Sequence, residues 1–484
     1  MTKYVLLLVA AKACGTTDKF YDVLYQALAE LGGVYVKLVQ FVCLRTEIFP
    51  NETKIKFLGF YDAVPVEPLD PKSVLVRELG AARAEKIAEL EEKPFASGTF
   101  GQVYRGRVGN TPVVVKVKRE GILTHLRADF WVLGILARAV DFIYDQEVFN
   151  FRELLAEFKE ATYQELDYKA EAANGQYFYR LYRGHPKVVI PWTFTELTSV
   201  NVLVQEYIGG VGVSDLIRMR AGGWGERYGK WLMDEYKTDM KAVIPEVAYE
   251  LCLQGFLHER FYADPHPGNI KILPNNRFAL IDFGIVGKSP EDRSVYYNII
   301  SSVVKRAEEM DTEKVGEEFL KWGAGQFYQS AAKLDEYLSG GGERVVPELV
   351  RRYGQLLERK RVEFAEIEKN EKENFVQVLY DITKTGRFLG VRVPDRTMAG
   401  LKTIAVYKSW NSFLEPGFHH MRETYQRVLD SVDPGSLRPE ARVEKEISLE
   451  EAVERFTDWV GELAEKDVPL YEKLAGSLEK MAYV

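Results

Sequence analysis

The chain contains 484 residues, which at about 150 residues per domain predicts roughly three structural units. Hydrophobic residues make up 46% of the chain, enough to bury a sizeable core, which excludes wholesale disorder. The 72 acidic residues outnumber the 64 basic ones and give a net charge of −8. This balance argues against a general nucleic-acid-binding protein, so we expect no nucleic-acid partner.

The cysteine pattern indicates a reduced protein inside the cell. Cys14, Cys43 and Cys252 stand far apart, and their odd number offers neither a disulfide framework nor paired zinc ligands. No apolar run approaches the ~20 residues that a membrane-spanning helix needs. The short run Val5–Ala11, followed by Lys12, does not suit a signal peptide. We therefore expect a cytoplasmic protein, with peripheral membrane contact left open.

In chain order, the first predicted elements are helices. Apolar residues at helical spacing between Tyr21 and Leu31 predict an N-terminal helix, and no strong strand signal occurs before about residue 92. Between residues 95 and 117 short β-rich runs alternate with glycine, which predicts strands. Residues 122–182 return to helical periodicity. We expect Trp131, within that stretch, to pack in the core, with membrane contact as the alternative.

Two more strands are predicted next, Lys187–Thr193 and Val200–Ile208. Beyond them the chain is mostly helical, interrupted by a loop–strand segment at Ala263–Gly287. Near the end, Ser448 and Glu451 form a capping-box pattern that begins an amphipathic helix. Because the polar face of this helix is acidic, we expect it to pack on protein rather than on an anionic membrane.

The first chemical motif is a glycine-rich loop followed by a strand lysine. Residues 96–103 read A-S-G-T-F-G-Q-V, close to the G-x-G-x-x-G-x-V loop that lets backbone approach nucleotide phosphates. Lys116 ends a run of three valines just downstream, where a kinase places the lysine that pairs with the phosphates. The bland alternatives are an ordinary hairpin turn and a solvent-facing lysine. The nucleotide-contacting residues predicted in this loop are Ala96, Ser97, Gly98, Thr99, Phe100, Gly101 and Val103.

The second motif is a pair of aspartate-containing loops that match the catalytic loop and the D-F-G loop of a kinase in spacing. Asn269 follows Asp264 by five positions, and the strand Phe278–Ile281 then leads into Asp282-Phe283-Gly284. Asn269 and Asp282 supply oxygen ligands suited to Mg²⁺, and Asp264 is suited to orient or deprotonate an acceptor. Each aspartate alone could be an Asx-turn or a helix cap. All the motifs in this order predict binding of ATP and Mg²⁺.

The chain resembles the UbiB-like (AarF-domain) atypical kinase family over nearly its whole length. Residues Lys37 to Gln40 read K-L-V-Q, similar to the family's KxGQ motif with Val39 in place of glycine. Residues 165–168 read E-L-D-Y and, with the helix that follows, look like its ExD motif. Residues 94–99 stand where the family carries an alanine-rich loop, and residues 391–418 look like the helical end of its C-lobe.

The resemblance implies an α+β, two-lobed protein-kinase-like fold with a small β-containing N-lobe and a larger helical C-lobe. Its expected segments are an N-terminal helical extension (1–92), the N-lobe with a helical ExD insert (93–208), the C-lobe (209–440) and a C-terminal helical tail (441–484). Lys116 would pair with Glu171, and Glu206 and Ile208 would add contacts to the nucleotide. The residues expected to guard the cleft are Lys37, Gln40, Glu165 and Asp167.

Two departures bear on the chemistry. Gly98 replaces an alanine of the family's loop, and because glycine reaches φ > 0 without penalty, we expect Gly98→Ala to weaken nucleotide binding. His266 stands where ordinary protein kinases carry a catalytic-loop lysine, and no A-P-E follows Gly284. With little platform for a peptide, a lipid, another small molecule or water is the expected phosphoryl acceptor.

The leading hypothesis is an Mg-ATP-dependent atypical kinase or ATPase acting in isoprenoid-quinone or related lipid metabolism, a pathway that only the resemblance implies. One alternative is a small-molecule phosphotransferase of the aminoglycoside or choline kinase kind, which shares the D-x-H-P-x-N pattern around His266. Another is a non-catalytic nucleotide-sensing pseudokinase scaffold. The expected partner is ATP or ADP, and a lipid or quinone precursor and peripheral contact with a membrane are left open.

Overall fold

The computed structural model describes residues 66–143, 151–289 and 420–437, with single positions within 26–41, 293–301 and 403–415. Gln40, Val39 and the predicted helix after Ser448 lie outside the described residues. The chain divides into two compact units. The first comprises Met1–Val243, Asp264–Val286 and Ala405–Leu414, and the second Ile244–Ala263, Gly287–Ile404 and Glu415–Val484. The four predicted segment boundaries stay predictions.

A five-stranded antiparallel sheet forms the first half of the first unit. The strand order is β1-β3-β4-β6, with β2 also paired to β3. The strands of this sheet are β1 (Ile87–Ala88), β2 (Ala96–Ser97), β3 (Gly101–Val108), β4 (Thr111–Lys118) and β6 (Val202–Glu206). Strand β5 (Val188–Val189) belongs to another sheet. The predicted strand at 200–208 is thus shorter, and the short β1 was not predicted.

One face of this sheet is buried by a capped helix. Helix α1 (Pro71–Leu79) begins after Asp70, whose side chain accepts a hydrogen bond from the backbone N–H of Lys72, and is followed by α2 (Ala81–Ala84). Proline at the first position suits a helix start because its fixed φ is already helical. Leu75 and Leu79 pack against the valines of β4 and against Tyr104, all buried. The valine run therefore makes a central strand, as its β-branched side chains favour.

Three helices follow β4 where the sequence shows helical periodicity: α3 (Ile122–Ile143), α4 (Phe151–Glu165) and α5 (Tyr168–Leu181). Phe130 and Leu133 of α3 and Phe158 of α4 share a hydrophobic cluster. The expectation for Trp131 is wrong, since its side chain is 70% exposed. Neighbouring residues of a helix point about 100° apart, so burial of Phe130 turns Trp131 outward.

A four-stranded sheet completes the first unit, in the order β5-β10-β9-β7. Its hairpin joins β9 (Ile270–Leu273) to β10 (Arg277–Leu280) through Asn275 and Asn276, both at positive φ, which asparagine tolerates in turns. The remaining strand is β7 (Val211–Gly212), followed by α6 (Val213–Ala221) and α7 (Gly225–Tyr236). The strand predicted at 187–193 is reduced to the two residues of β5.

The second unit contains most of α8 (Met240–Leu257), strand β8 (Arg260–Tyr262) and α9 (Met421–Asp430). A short strand that was not predicted, β11 (Val286–Lys288), pairs with β8. Cys252 of α8 and Tyr425 of α9 are buried here. None of the helices in the described part of the chain is long and apolar enough to cross a membrane. The expected mixture of helices and strands is confirmed, while the two-lobed arrangement stays a prediction.

Candidate active site

Lys116 lies at the centre of a buried ion cluster on β4. Its Nζ is 2.6 Å from Oε1 of Glu171 and 2.6 Å from Oδ2 of Asp282. Burial alone would lower the pKa of Lys116, but the two carboxylates outweigh it and raise that pKa. The lysine therefore stays charged and links β4, helix α5 and the loop after β10. The structure brings together the lysine and the glutamate that the sequence paired.

The two carboxylates of this cluster differ in acidity. Burial and the nearby charge of Asp282 raise the pKa of Glu171, which is 3% exposed, to about 7. Burial would also raise the pKa of Asp282, but the charge and hydrogen bond of Lys116 hold that pKa below its usual value. Asp282 is therefore the stronger acid of the two, and its ionised carboxylate suits a hard cation.

Helix α5 positions the Asp282-Phe283-Gly284 loop. Asn174 Nδ2 donates to the carbonyl oxygen of Phe283 at 3.1 Å. The ring of Phe178 stacks on that of Phe283 with centroids 5.2 Å apart. A Cβ at Gly175 would lie 2.9 Å from Oγ1 of Thr193 and 3.5 Å from Phe283, so only glycine allows this close packing. The backbone around Asp282 is thus fixed by the helix that carries Glu171.

The catalytic-loop residues form a local hydrogen-bonded set. Asn269 Nδ2 donates to Oδ2 of Asp264 at 3.1 Å, an orientation that leaves the Oδ1 side of the amide for a cation. His266 caps the short 3₁₀ turn Pro267–Asn269, with Nδ1 accepting from the backbone N–H of Gly268 at 3.0 Å. Burial and the charge of Lys37 lower the pKa of His266 to about 3. The histidine is therefore neutral at physiological pH.

The glycine-rich loop joins β2 to β3 as a hairpin. The backbone N–H of Gly98 donates to the carbonyl oxygen of Gly101 at 2.9 Å. Gly98 is not among the residues with positive φ, and a Cβ there would meet only Gly101 O at an ordinary 3.6 Å. The conformational argument for a glycine at Gly98 is therefore wrong. The expected crowding of bound phosphates by a methyl group there stays a prediction.

Gly101 is the constrained glycine of the loop. A Cβ at Gly101 would lie 2.6 Å from the hydroxyl oxygen of Tyr168 and 2.8 Å from the carbonyl oxygen of Val117. Tyr168 is the first residue of α5 and is buried. Val103, two positions further along β3, is opposite Lys116 in the strand register. The glycine-rich loop therefore leads directly into the part of β3 that pairs with Lys116.

The described residues near Lys37 meet the glycine-rich loop and the ExD segment. Lys37 Nζ forms an ion pair with Glu165 and lies 4.5 Å from the ring centroid of Phe100. Phe100, at the loop tip, is buried in a cluster with Val34 and Tyr35. Burial lowers the pKa of Lys37 to about 8 against the opposing charges of nearby aspartates. Lys37 is thus a paired, partly buried lysine and not an exposed one.

The nearby charges acting on Lys37 belong to Asp264 and Asp282. Glu165 also lies against the Asp282-Phe283-Gly284 loop, because its Cγ would be 3.4 Å from a Cβ at Gly284. Asp167 has a different position: it is exposed and caps α5, with Oδ1 accepting from the backbone N–H groups of Lys169 and Ala170. A guarding role for Asp167 stays a prediction, as does one for Gln40.

Glu206 and Ile208 lie at the end of β6. Oε2 of Glu206 accepts from the backbone N–H of Trp192 at 3.2 Å. The carbonyl oxygen of Ile208 accepts from Lys271 Nζ at 3.0 Å. Their predicted contacts with a nucleotide are not tested by these bonds, which show only that the segment is anchored on both sides.

Sequence analysis missed Arg119 and Tyr168 as parts of this site. Arg119 donates to the carbonyl oxygen of Gly98 and to Oγ of Ser97, and Tyr168 meets Gly101. The signal for Arg119 was its place one residue beyond the strand that carries Lys116, since that strand is the hairpin partner of the loop. Nothing in the spacing of Tyr168 could have indicated a contact with Gly101.

Chemically, the arrangement combines a charged lysine, an anionic Asp282, an asparagine amide and the carboxylate of Asp264. No group of three or more metal-binding side chains occurs in the described ranges. Mg²⁺ in nucleotide sites is commonly held by one or two protein oxygens plus phosphates and water, so Asp282 and Asn269 fit that ion without further protein ligands.

Residues 61–317, just over half of the chain, match the family described as the ABC1 atypical kinase-like domain. The chain belongs to this family. A probable protein kinase UbiB from Marinobacter nauticus is 31% identical over 282 residues, which cover 56% of this chain and 49% of that protein. The protein ACTIVITY OF BC1 COMPLEX KINASE 3, chloroplastic, from Arabidopsis thaliana is 29% identical over 284 residues, covering 58% and 38%.

These matches support the UbiB-like resemblance, although the chain spans about half or less of the length of these relatives. A solved structure of Rv3197 with erythromycin, from Mycobacterium tuberculosis, is also similar, at 21% identity and a TM-score of 0.41. That alignment covers 86% of this chain and 99% of the other. Because the chain belongs to this family, it contains a kinase-like domain of mixed helices and strands.

Proposed function

We propose that this chain binds Mg-ATP and acts as an atypical kinase or ATPase whose phosphoryl acceptor is a lipid, another small molecule or water. The observation that carries this proposal is the position of Lys116 Nζ, 2.6 Å from both Glu171 and Asp282. A charged lysine at this position suits a phosphate group, and the carboxylate of Asp282 suits Mg²⁺. Asn269 and Asp264 complete the set at the loop expected to meet the acceptor.

Each residue has a distinct task in this proposal. When bound, ATP would supply the phosphoryl group, and Mg²⁺ would neutralise part of the negative charge of the phosphates. Lys116 would hold the phosphates, while Asp282 and Asn269 would hold the ion. Asp264, fixed by the amide of Asn269, would orient the acceptor hydroxyl and receive its proton.

The choice of acceptor rests on two features of the chain. His266 is neutral and bonded to its own turn, so it cannot act as the charged lysine of an ordinary protein kinase does. Lys37 is partly buried within the electrostatic reach of Asp264 and Asp282, where it would reduce the room for a peptide beside these two aspartates. A role in quinone or related lipid metabolism belongs to the same proposal and is supported by the relatives named UbiB.

The experiment measures ADP release by the full chain with Mg-ATP, with and without quinone-precursor mimics in detergent, together with mass spectrometry for a phosphorylated product. Asp264→Asn should reduce turnover about 10²-fold or more while Mg-ATP still binds. Asp215→Asn, an exposed ion-pair aspartate of α6, is the control and should keep full turnover. Equal turnover in Asp264→Asn and wild type would contradict the assigned role.

The same assay with an aminoglycoside or choline added tests the small-molecule phosphotransferase, which a phosphorylated form of either compound would favour. This alternative is favoured by one observation, the D-x-H-P-x-N turn in which His266 accepts from Gly268. Tight Mg-ATP binding with no product and no ADP release under any condition would favour the pseudokinase scaffold.

A further inference from the structure

Arg119 is bound to the glycine-rich loop through its guanidinium group. Nε and Nη2 of Arg119 donate to the carbonyl oxygen of Gly98 at 3.2 and 3.1 Å, and Nη2 also donates to Oγ of Ser97 at 2.8 Å. The backbone N–H of Arg119 donates to the carbonyl oxygen of Phe100 at 2.9 Å. One residue therefore contacts both sides of the loop tip.

The guanidinium group is itself held from behind. Nη1 of Arg119 lies 2.5 Å from Oε1 of Glu67, and the side chain of Arg119 is only 5% exposed. Glu67 is fixed in turn by Gln102, whose side-chain amide bonds the backbone N–H of Glu67 at 2.8 Å and its carbonyl oxygen at 3.2 Å. Gln102 is fully buried. A buried, paired arginine of this kind has little freedom to turn away.

The strand register places Arg119 on the side of the sheet away from the ion cluster. Side chains alternate between the two faces of a strand, so Lys116 and Lys118 share one face and Val117 and Arg119 the other. Gln102 is opposite Val117 in the register, which places it on the same face as Arg119. The carbonyl oxygen of Gly98 therefore points to this rear face.

The orientation of that carbonyl fixes the next amide. In a trans peptide the C=O of Gly98 and the N–H of Thr99 point in opposite directions. Since Arg119 draws the oxygen to the rear face, the N–H of Thr99 is directed toward the face that carries Lys116. Backbone N–H groups aimed in this way are the donors with which glycine-rich loops bind phosphates.

We infer that Arg119 is a positioning residue, which clamps the glycine-rich loop from the rear so that its amides face the nucleotide phosphates. The inference rests on the proposed function, because it concerns the phosphates of the same nucleotide. Arg119 does not contact the nucleotide in this account, and its effect passes through Gly98 and Ser97.

The test compares the full-length wild type with Arg119→Met, which keeps the aliphatic stem but removes every guanidinium donor. We expect Arg119→Met to weaken Mg-ADP binding about five- to tenfold by calorimetry and to leave the affinity for adenosine, which lacks phosphates, unchanged. Arg119→Lys should recover only part of the Mg-ADP affinity, since one ammonium cannot reproduce the fork of bonds.

Arg107→Met is the matched control. Arg107 lies on β3, bonds Asn110 and Glu89 away from the loop, and its loss removes the same charge. A similar loss of Mg-ADP affinity in Arg107→Met would show a general charge effect and overturn the inference. An equal weakening of adenosine and Mg-ADP in Arg119→Met would show general structural damage and also overturn it.

Different results would refute the positioning role of Arg119 and the proposed function. If wild type binds Mg-ADP and Arg119→Met binds it within twofold of wild type, the positioning role is refuted and the proposed function stands. If wild type binds no Mg-ADP, the proposed function fails and this inference fails with it.

Discussion

At the scale of single residues, the two glycines of the loop are under different constraints. Gly98 has room for a Cβ at 3.6 Å from Gly101 O, whereas a Cβ at Gly101 would lie 2.6 Å from the Tyr168 hydroxyl. The difference comes from the Tyr168 hydroxyl and from the carbonyl oxygen of Val117 on β4, neither of which belongs to the loop. Glycine is thus needed for packing at one position and not for backbone conformation at the other.

We predict that Gly101→Ala lowers the free energy of unfolding by about 1–3 kcal/mol, because a methyl group there overlaps Tyr168 and Val117. Gly98→Ala, the matched control, should change it by about 0.5 kcal/mol or less. Denaturant melts of both variants check this. A larger loss in Gly98→Ala than in Gly101→Ala would contradict the described packing.

The resemblance to the UbiB-like family implied the pairing of Lys116 with Glu171, and the structure places the two side chains 2.6 Å apart. Sequence reasoning did not reach the contact of Gly101 with Tyr168, because that contact depends on how α5 packs against a hairpin 67 residues earlier in the sequence. The φ of Gly98 was not reached either, because a glycine permits a positive φ without requiring one. The expectation that Trp131 packs in the core was wrong for a related reason. Helical periodicity indicates one buried stripe, but assigning an aromatic residue to that stripe requires knowledge of the helix phase.

At the scale of secondary structure, α5 organises the site. Its first residue meets the glycine-rich loop, its first turn carries Glu171, and its middle holds Phe283 through Asn174 and Phe178. The helix therefore contacts both the glycine-rich loop and the Asp282-Phe283-Gly284 loop. Strand β4 and the loop after β10 contribute the two remaining charged groups, Lys116 and Asp282.

We predict that Phe178→Ala destabilises the fold by about 3–5 kcal/mol, because Phe178 is fully buried against Phe283 and leaves a cavity. Phe95→Ala is the control, since Phe95 is 41% exposed, and should cost about 1 kcal/mol or less. Chemical denaturation gives both values. Equal costs for the two variants would exclude the packing of α5 on the Phe283 loop.

The contact between Lys37 and Glu165 gives a separate test of where the N-terminal helical residues lie. Both side chains are partly buried, at 22% and 29% exposure. A double-mutant cycle with Lys37→Met and Glu165→Gln should return a coupling energy of about 0.5–1 kcal/mol in stability. No measurable coupling would mean that the two residues are not paired in solution.

At the scale of the whole molecule, the chain forms two compact units, and the site residues described above belong to the first. The second unit offers a reporter of its own folding. Cys252 is buried in α8, and burial raises the pKa of its thiol to about 12. At pH 8 the thiol is therefore protonated as well as inaccessible, and the thiolate is the reactive form.

We predict that Cys252 resists alkylation by iodoacetamide at pH 8 in the native protein and reacts once denaturant unfolds the chain. Peptide mass spectrometry identifies the modified cysteine, so the result is independent of Cys14 and Cys43. Rapid modification of Cys252 under native conditions would be inconsistent with a packed second unit.

The most direct test of the account is the Mg²⁺-dependent stabilisation of the protein by ATP. Asp282 is the carboxylate beside Lys116 that is assigned to the cation, so Asp282→Asn should remove the negative charge of that ligand while leaving Glu171 paired with the lysine. Thermal unfolding should show that Mg-ATP raises the midpoint of wild type and of the exposed control Asp215→Asn, but not that of Asp282→Asn relative to its own nucleotide-free midpoint. An undiminished rise in Asp282→Asn would contradict the assignment of this cluster as the Mg-ATP site.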